Sequence, residues 1–120
     1  MQKHKNVNQR FDVKILDEVF EFFDGIEEKA VEKILFNIRK SRYTIDKELF
    51  KKLENDIWEF RTLFNKKKYR LLAFWDKSNK RETLVIGASG FVKKTKKTPK
   101  KEIRKAERIM KLYFEQNNKP

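Results

Sequence analysis

Three apolar runs separated by short polar breaks constrain this chain more than any other feature. Ile57–Phe64, Tyr69–Trp75 and Glu82–Phe91 are rich in β-branched and aromatic residues, and Asn65–Lys68 and Asp76–Arg81 lie between them. Such runs predict strands, and breaks this short predict antiparallel neighbours, so the centre of the fold is a three-stranded meander. With 65–68 as the loop, Phe64 stands opposite Tyr69 and Arg61 opposite Leu72, which leaves Arg70 as the diagonal neighbour of Arg61. Side chains alternate across a strand. Glu59, Arg61 and Leu63 therefore share one face, joined there by Arg70, while Trp58, Phe60 and Phe64 share the other.

The remaining elements follow from periodicity. Arg10–Leu16 alternates, with Phe11, Val13 and Ile15 on one side, and predicts a first strand with one buried face. Asp17 is positioned to cap a short helix carrying Val19, Phe20 and Phe23, and Asp24-Gly25 ends it. Asp24 and Glu27 have capping-box spacing for a second helix, whose apolar stripe is Ala30, Val31, Ile34, Leu35 and Ile38. The two read as an antiparallel helical hairpin. Ser41–Asn55 reads as a connection with a helical turn near Lys47–Lys51. Thr98 as N-cap and Pro99 as first helical residue open a last helix, with Ile103, Ala106, Met110, Tyr113 and Phe114 buried. The order is β-α-α-β-β-β-α, an α+β fold on a largely antiparallel sheet. Its 120 residues leave room for one domain, 10–116, with a basic arm at 1–9 and a tail at 117–120.

Charge narrows the partners. Thirty-one Lys and Arg against 18 Asp and Glu give a net charge of +13, which points to a polyanion. Acidic residues gather on the helical hairpin and basic ones in the C-terminal half. The third strand empties into Lys93, Lys94, Lys96 and Lys97, a run read either as a solvated loop or as an anion site. The small residues Gly87–Gly90 just upstream favour the anion site, because they let a ligand backbone approach the strand. The absence of cysteine excludes disulfides and thiolate chemistry, and His4 is the only histidine. Neither metal-ligand spacing nor a phosphate-binding glycine loop is present, so no metal and no cofactor is expected. No run reaches membrane-spanning length, and a cytoplasmic protein is expected.

Arg61 and Arg70 on one half-buried face carry two readings. Each pairs with a carboxylate, Glu59 serving Arg61, or the spare cation joins Lys93 and Lys94 in a phosphate clamp. Arginine suits a clamp because its planar fork matches phosphate oxygens and its charge does not titrate away.

Ile57-Trp58-Glu59-Phe60-Arg61, Tyr69-Arg70-Leu71-Leu72 and Gly90-Phe91-Val92-Lys93-Lys94-Thr95-Lys96-Lys97-Thr98-Pro99, with Leu53 ahead and Glu102, Ile103 and Ala106 behind, resemble the RelE/HigB-type toxins of bacterial type II toxin–antitoxin modules. The phage-derived HigB-like branch is the most similar, and the likeness runs from Phe11 to Phe114. It implies a RelE-like twisted sheet with an N-terminal helical hairpin and a C-terminal helix. It also implies a ribosome-dependent mRNA endonuclease, an mRNA interferase needing no metal, silenced by a cognate antitoxin, a small helix-turn-helix protein. Carried over by motif, Arg61, Arg70, Lys93 and Lys94 are the catalytic candidates. Phe91, Thr95, Lys96, Lys97 and Lys101 are candidates for RNA contact, Phe91 by stacking, and Glu59 for a structural or acid–base role. Lys101 and Lys105 are expected as solvated anchors for ribosomal RNA. Relatives that use a histidine or a C-terminal tyrosine differ here, because Tyr113 lies on an apolar stripe. The superfamily also holds ParE-type gyrase poisons, so a gyrase-directed toxin or a non-catalytic basic nucleic-acid-binding module stands as the alternative.

Overall fold

In the computed structural model, which describes residues 9–78 and 83–117, the meander forms and gains a strand on each side. The elements are β1 (Asp12–Ile15), α1 (Asp17–Asp24), α2 (Glu28–Ser41), β2 (Phe50–Glu54), β3 (Ile57–Phe64), β4 (Lys67–Asp76), β5 (Leu84–Lys93) and α3 (Lys100–Asn117). They build one five-stranded sheet in the order β1-β5-β4-β3-β2. Every neighbouring pair is antiparallel except β1 with β5. This is the expected α+β architecture, compatible with a RelE-like fold. The arm 1–8, the end of the tail, His4 and the 79–82 part of the second polar turn lie outside the described residues.

The expected turn near Lys47–Lys51 forms over residues 47–49, with the Leu49 and Phe50 N–H groups both donating to Asp46 O at 3.0 Å, and it leads directly into β2, an unexpected strand. Its period of two is broken by a register shift between Lys52 and Glu54, and Lys51-Lys52 masks what alternation remains. What makes it a strand is Phe50, buried and stacked on Phe60 with ring centroids 4.2 Å apart. A turn at Asn55-Asp56, with Asn55 at φ 54°, leads into β3. Asparagine tolerates that left-handed conformation better than most residues.

The β3–β4 loop is shorter than expected. Only Asn65 and Lys66 turn, both at positive φ (53° and 66°), and Phe64 pairs with Lys67. Positive φ at both turn residues is the signature of the two-residue hairpin whose twist matches the strands. The register therefore moves by two residues from the expected one. A two-residue shift keeps every side chain on its face, so the face assignments survive, but Arg61 now stands directly opposite Arg70.

Helices cover both faces. α1 and α2 lay Val19, Phe23, Ala30, Ile34 and Ile38 on Phe60, Tyr69, Leu71 and Val85. α3 lays Ile103, Ala106 and Tyr113 on Ile57, Leu72, Phe74, Ile86 and Phe91. Tyr113 donates its hydroxyl to Asp76 Oδ2 at 2.5 Å, fastening α3 to the end of β4. Gly90 has a structural use: a Cβ there would overlap the Phe22 ring of α1. Ala88 and Ser89 are equally covered, so the small residues admit helices, not the ligand backbone expected of them.

None of the expected caps forms. Leu16 and Glu27 occupy the N-cap positions of α1 and α2 without side-chain bonds, Asp17 is already helical, and Asp24 closes α1. Thr98 bonds elsewhere, and α3 runs through Asn117. Among the described residues no helix is long and apolar enough to cross a membrane.

Candidate anion site on the open end of the sheet

α3 covers only part of its sheet face. Beyond its N-terminus the same face continues through Glu59 and Arg61 of β3, Lys68 and Arg70 of β4, and Lys93 of β5. The pairing brings like charges together twice: Arg61 opposite Arg70, and Lys68 opposite Lys93. Directly opposed like charges destabilise a sheet.

Glu59 is the one buried carboxylate among these cations, 2% exposed. Its Oε1 lies 3.6 Å from Arg70 Nε and its Oε2 3.7 Å from Arg61 Nε. Neither separation is a hydrogen bond, and both Nε groups are buried without a partner. Glu59 thus serves both arginines electrostatically, one oxygen each, and satisfies the Nε–H of neither. The second nitrogens point to backbone: Arg61 Nη1 donates to Lys47 O at 3.3 Å and Arg70 Nη1 to Tyr69 O at 3.1 Å. Arg70 is the more deeply buried, its side chain 5% exposed against 23% for Arg61. Burial pulls the Arg70 pKa below its ordinary value, Glu59 opposes that, Arg61 adds to it, and Glu48 opposes again.

Lys93 ends β5 on this face, half-buried. Its pKa lies below the usual lysine value, first through burial and then through Arg70, Arg61 and Lys68, with Glu59 acting the other way. The ammonium is therefore easier to deprotonate than a surface lysine. Lys93 and Lys96 line three adjoining clefts. One, of about 390 Å3, reaches Glu59, Arg61, Thr98 and Lys100. A second, of about 360 Å3, reaches Glu48, Lys68 and Arg70. The third, about 600 Å3, runs along Lys66, Lys67, Lys94 and Thr95. A larger cleft of about 750 Å3 sits at the opposite end of the sheet, lined by Trp58, Trp75, Met110 and Phe114 with Lys52 and Lys77. Size favours that cleft, and Trp75 Nε1 is buried without a partner there, but the unpaired charged donors, Arg61 Nε and Arg70 Nε, are here, and they make this end the candidate site.

The expected residues distribute as follows. Arg61, Arg70, Lys93 and Glu59 converge. Lys94, Thr95, Lys96 and Lys97 form the exposed rim, where Thr95 Oγ1 donates to Lys97 O at 2.5 Å and curls the loop. Phe91, only 9% exposed, packs beneath α3 and lines none of the three clefts. Lys101 is exposed on α3 and lines none of the three clefts, and Lys105 pairs with Glu18 at 3.4 Å. Sequence reasoning missed Lys68, which it left in the loop, and Thr98, which it made a cap. Thr98 donates its hydroxyl to Glu59 Oε1 at 2.9 Å. Asn65 was the available signal for a tighter turn and hence for Lys68 on the strand.

Among the described residues no three His, Cys, Asp or Glu side chains gather as metal ligands. The donor set is cationic and suits an anion with several oxygens, above all a phosphate. Residues 21–111, well over half the chain, match the model of a family described as Phage derived protein Gp49-like. No curated protein matches the chain.

Proposed function

The chain belongs to the Gp49-like family of phage-derived proteins, and from that premise we propose that it is the toxin of a type II toxin–antitoxin module, cutting mRNA on the ribosome. The observation that carries the proposal is the pair of opposed arginines, both Nε groups buried and unpaired, beside a lysine with a lowered pKa. RNA supplies its own nucleophile. The 2′-oxygen attacks the adjacent phosphorus, the P–O5′ bond breaks, and a 2′,3′-cyclic phosphate and a 5′-hydroxyl result. The protein must neutralise the charge added to the phosphorane and manage two protons. Arg61 and Arg70 suit the first task, as positive charges already fixed at the clefts before charge builds. A lysine eased toward neutrality, Lys93, suits proton transfer.

The site is open, and nothing in it aligns the 2′-oxygen with the leaving 5′-oxygen. Such alignment contributes a large part of any rate enhancement, so the proposal assigns it to the ribosome. The surplus of positive charge and the exposed Lys94, Lys96 and Lys97 support docking to RNA backbone. The same charge in a free toxin supports a partner antitoxin that covers it. The test is induced expression with mapping of RNA 5′ ends. Translated messages cut inside their reading frames are expected. Growth arrest with intact messages and altered supercoiling would replace this reading with the gyrase one.

A further inference from the structure

The loop that carries the exposed lysines is tied to the floor of the site at one point. Thr98 Oγ1 donates to Glu59 Oε1 across 39 positions of sequence. This is the only side-chain hydrogen bond of Thr98 among the described residues, so its hydroxyl is not spent on capping α3. The oxygen it holds is the one facing Arg70, and the other oxygen of the same carboxylate faces Arg61. A carboxylate turns about its last bond over a broad, shallow range. Left free, Glu59 could swing both oxygens toward one arginine and abandon the other. The threonine bond fixes the one-oxygen-each arrangement that leaves both Nε groups unpaired.

We infer that Thr98 is a positioning residue. It orients Glu59, and through Glu59 it holds the Arg61 and Arg70 side chains ready for a phosphate, while anchoring Lys96 and Lys97 above the same clefts. The inference rests on the reading of this face as a phosphate site. Its consequence is that loop and arginine pair act as a unit. Pulling the loop away, whether by an altered residue or a bound partner, disorders the clamp without touching it.

The experiment uses the full chain with Thr98→Val, which keeps the shape and loses the hydroxyl, and Thr98→Ser, which keeps the hydroxyl. Thr98→Ala serves as a second deletion should the valine variant fail to fold. One readout is independent of activity: the 15N–1H resonances of the Arg61 and Arg70 Nε groups. The other is cleavage on programmed ribosomes, separated into kcat and KM. The expected result is that the hydroxyl-free variant shifts both Nε resonances and leaves that of Arg39 in place. Its kcat falls about tenfold or more at nearly unchanged KM, the scale set by losing a hydrogen bond to a charged group. Thr98→Ser restores both readouts to within about threefold in rate.

Unmoved Nε resonances overturn the inference, whatever happens to the rate. So does a variant that melts earlier yet cleaves normally below its melting temperature, because that is a purely structural threonine. A wild-type protein that cuts no RNA removes the function proposed above, and the resonances still decide whether Thr98 positions the arginines.

Discussion

Glu59→Gln removes one negative charge and almost no volume, and its effect can be worked from the site. Glutamine still offers Thr98 an acceptor oxygen, so the bond at 2.9 Å survives and the change is electrostatic. What remains is Arg70, its side chain 5% exposed, directly opposite Arg61 with no carboxylate between them. Breaking a buried ion pair by removing one partner costs about 3–5 kcal/mol. Arg61, at 23% exposure, recovers part of its share from water. The lower end of that range, about 3 kcal/mol, is therefore the expected loss. For a domain of this size that is a drop in Tm of roughly 10–15 °C. The assay is thermal unfolding with and without sulfate, which can take the place of the missing charge. Sulfate at a hundredfold its Kd returns about 2.7 kcal/mol, most of the loss. Glu59→Gln should gain far more from sulfate than the wild type does, since its arginines have no carboxylate. A variant melting within about 3 °C of wild type and indifferent to sulfate refutes the claim that Glu59 compensates both arginines.

Two further predictions concern the frame around the site. Tyr113→Phe removes the donor to Asp76 Oδ2 and should cost about 1–3 kcal/mol in denaturant unfolding. Burial, then the bond and charge of Asp76, push the Tyr113 hydroxyl up to about 12, so the folded protein keeps a proton that the unfolded chain releases near 10. The contribution is complete below about pH 10 and lost as pH rises through 12, a loss that Tyr113→Phe should abolish. Lys93, lowered, acts with the opposite sign, so the comparison must be variant against wild type. Gly90→Ala drives a methyl into the Phe22 ring and should cost about 1–3 kcal/mol, partly recovered by Phe22→Leu in the same chain. Wild-type stability for Gly90→Ala would mean that α1 does not sit where it is described.

The sequence was most legible where an apolar run of strand length is bounded by a polar break. Ile57–Phe64 and Tyr69–Trp75 are such runs, and Arg61 and Arg70 could be put on one face because even a register two residues wrong keeps that face. β2 was hidden because its bulge breaks the period and its strand character comes from Phe50 stacking on Phe60, a contact made only in the folded state. Caps were misread for a related reason. Asp24, Glu27 and Thr98 have the right chemistry and spacing, but Asp24 ends α1, Glu27 takes the N-cap position with its carboxylate turned to Asn65, and the Thr98 hydroxyl went to a glutamate 39 residues away. Phe91 looked like a stacking platform beside a lysine run, and only the position of α3 shows that its ring is covered. The distinction between Lys93, with its lowered pKa, and Lys94 on the exposed rim was likewise invisible in a run of lysines.

The most direct test of the central claim is single-turnover cleavage on programmed ribosomes by Arg61→Ala and Arg70→Ala, each first shown to keep a cooperative melt. A contact to the scissile phosphate strengthens as charge builds, so its loss appears in rate and not in binding. A loss of about 3–4 kcal/mol, a few hundredfold, is expected for each variant, with ribosome affinity nearly unchanged. Arg70→Lys should recover only part of it, because the planar fork is gone. Folded Arg61→Ala and Arg70→Ala proteins that cleave at the wild-type rate contradict the clamp and leave the chemistry to the lysines around Lys93.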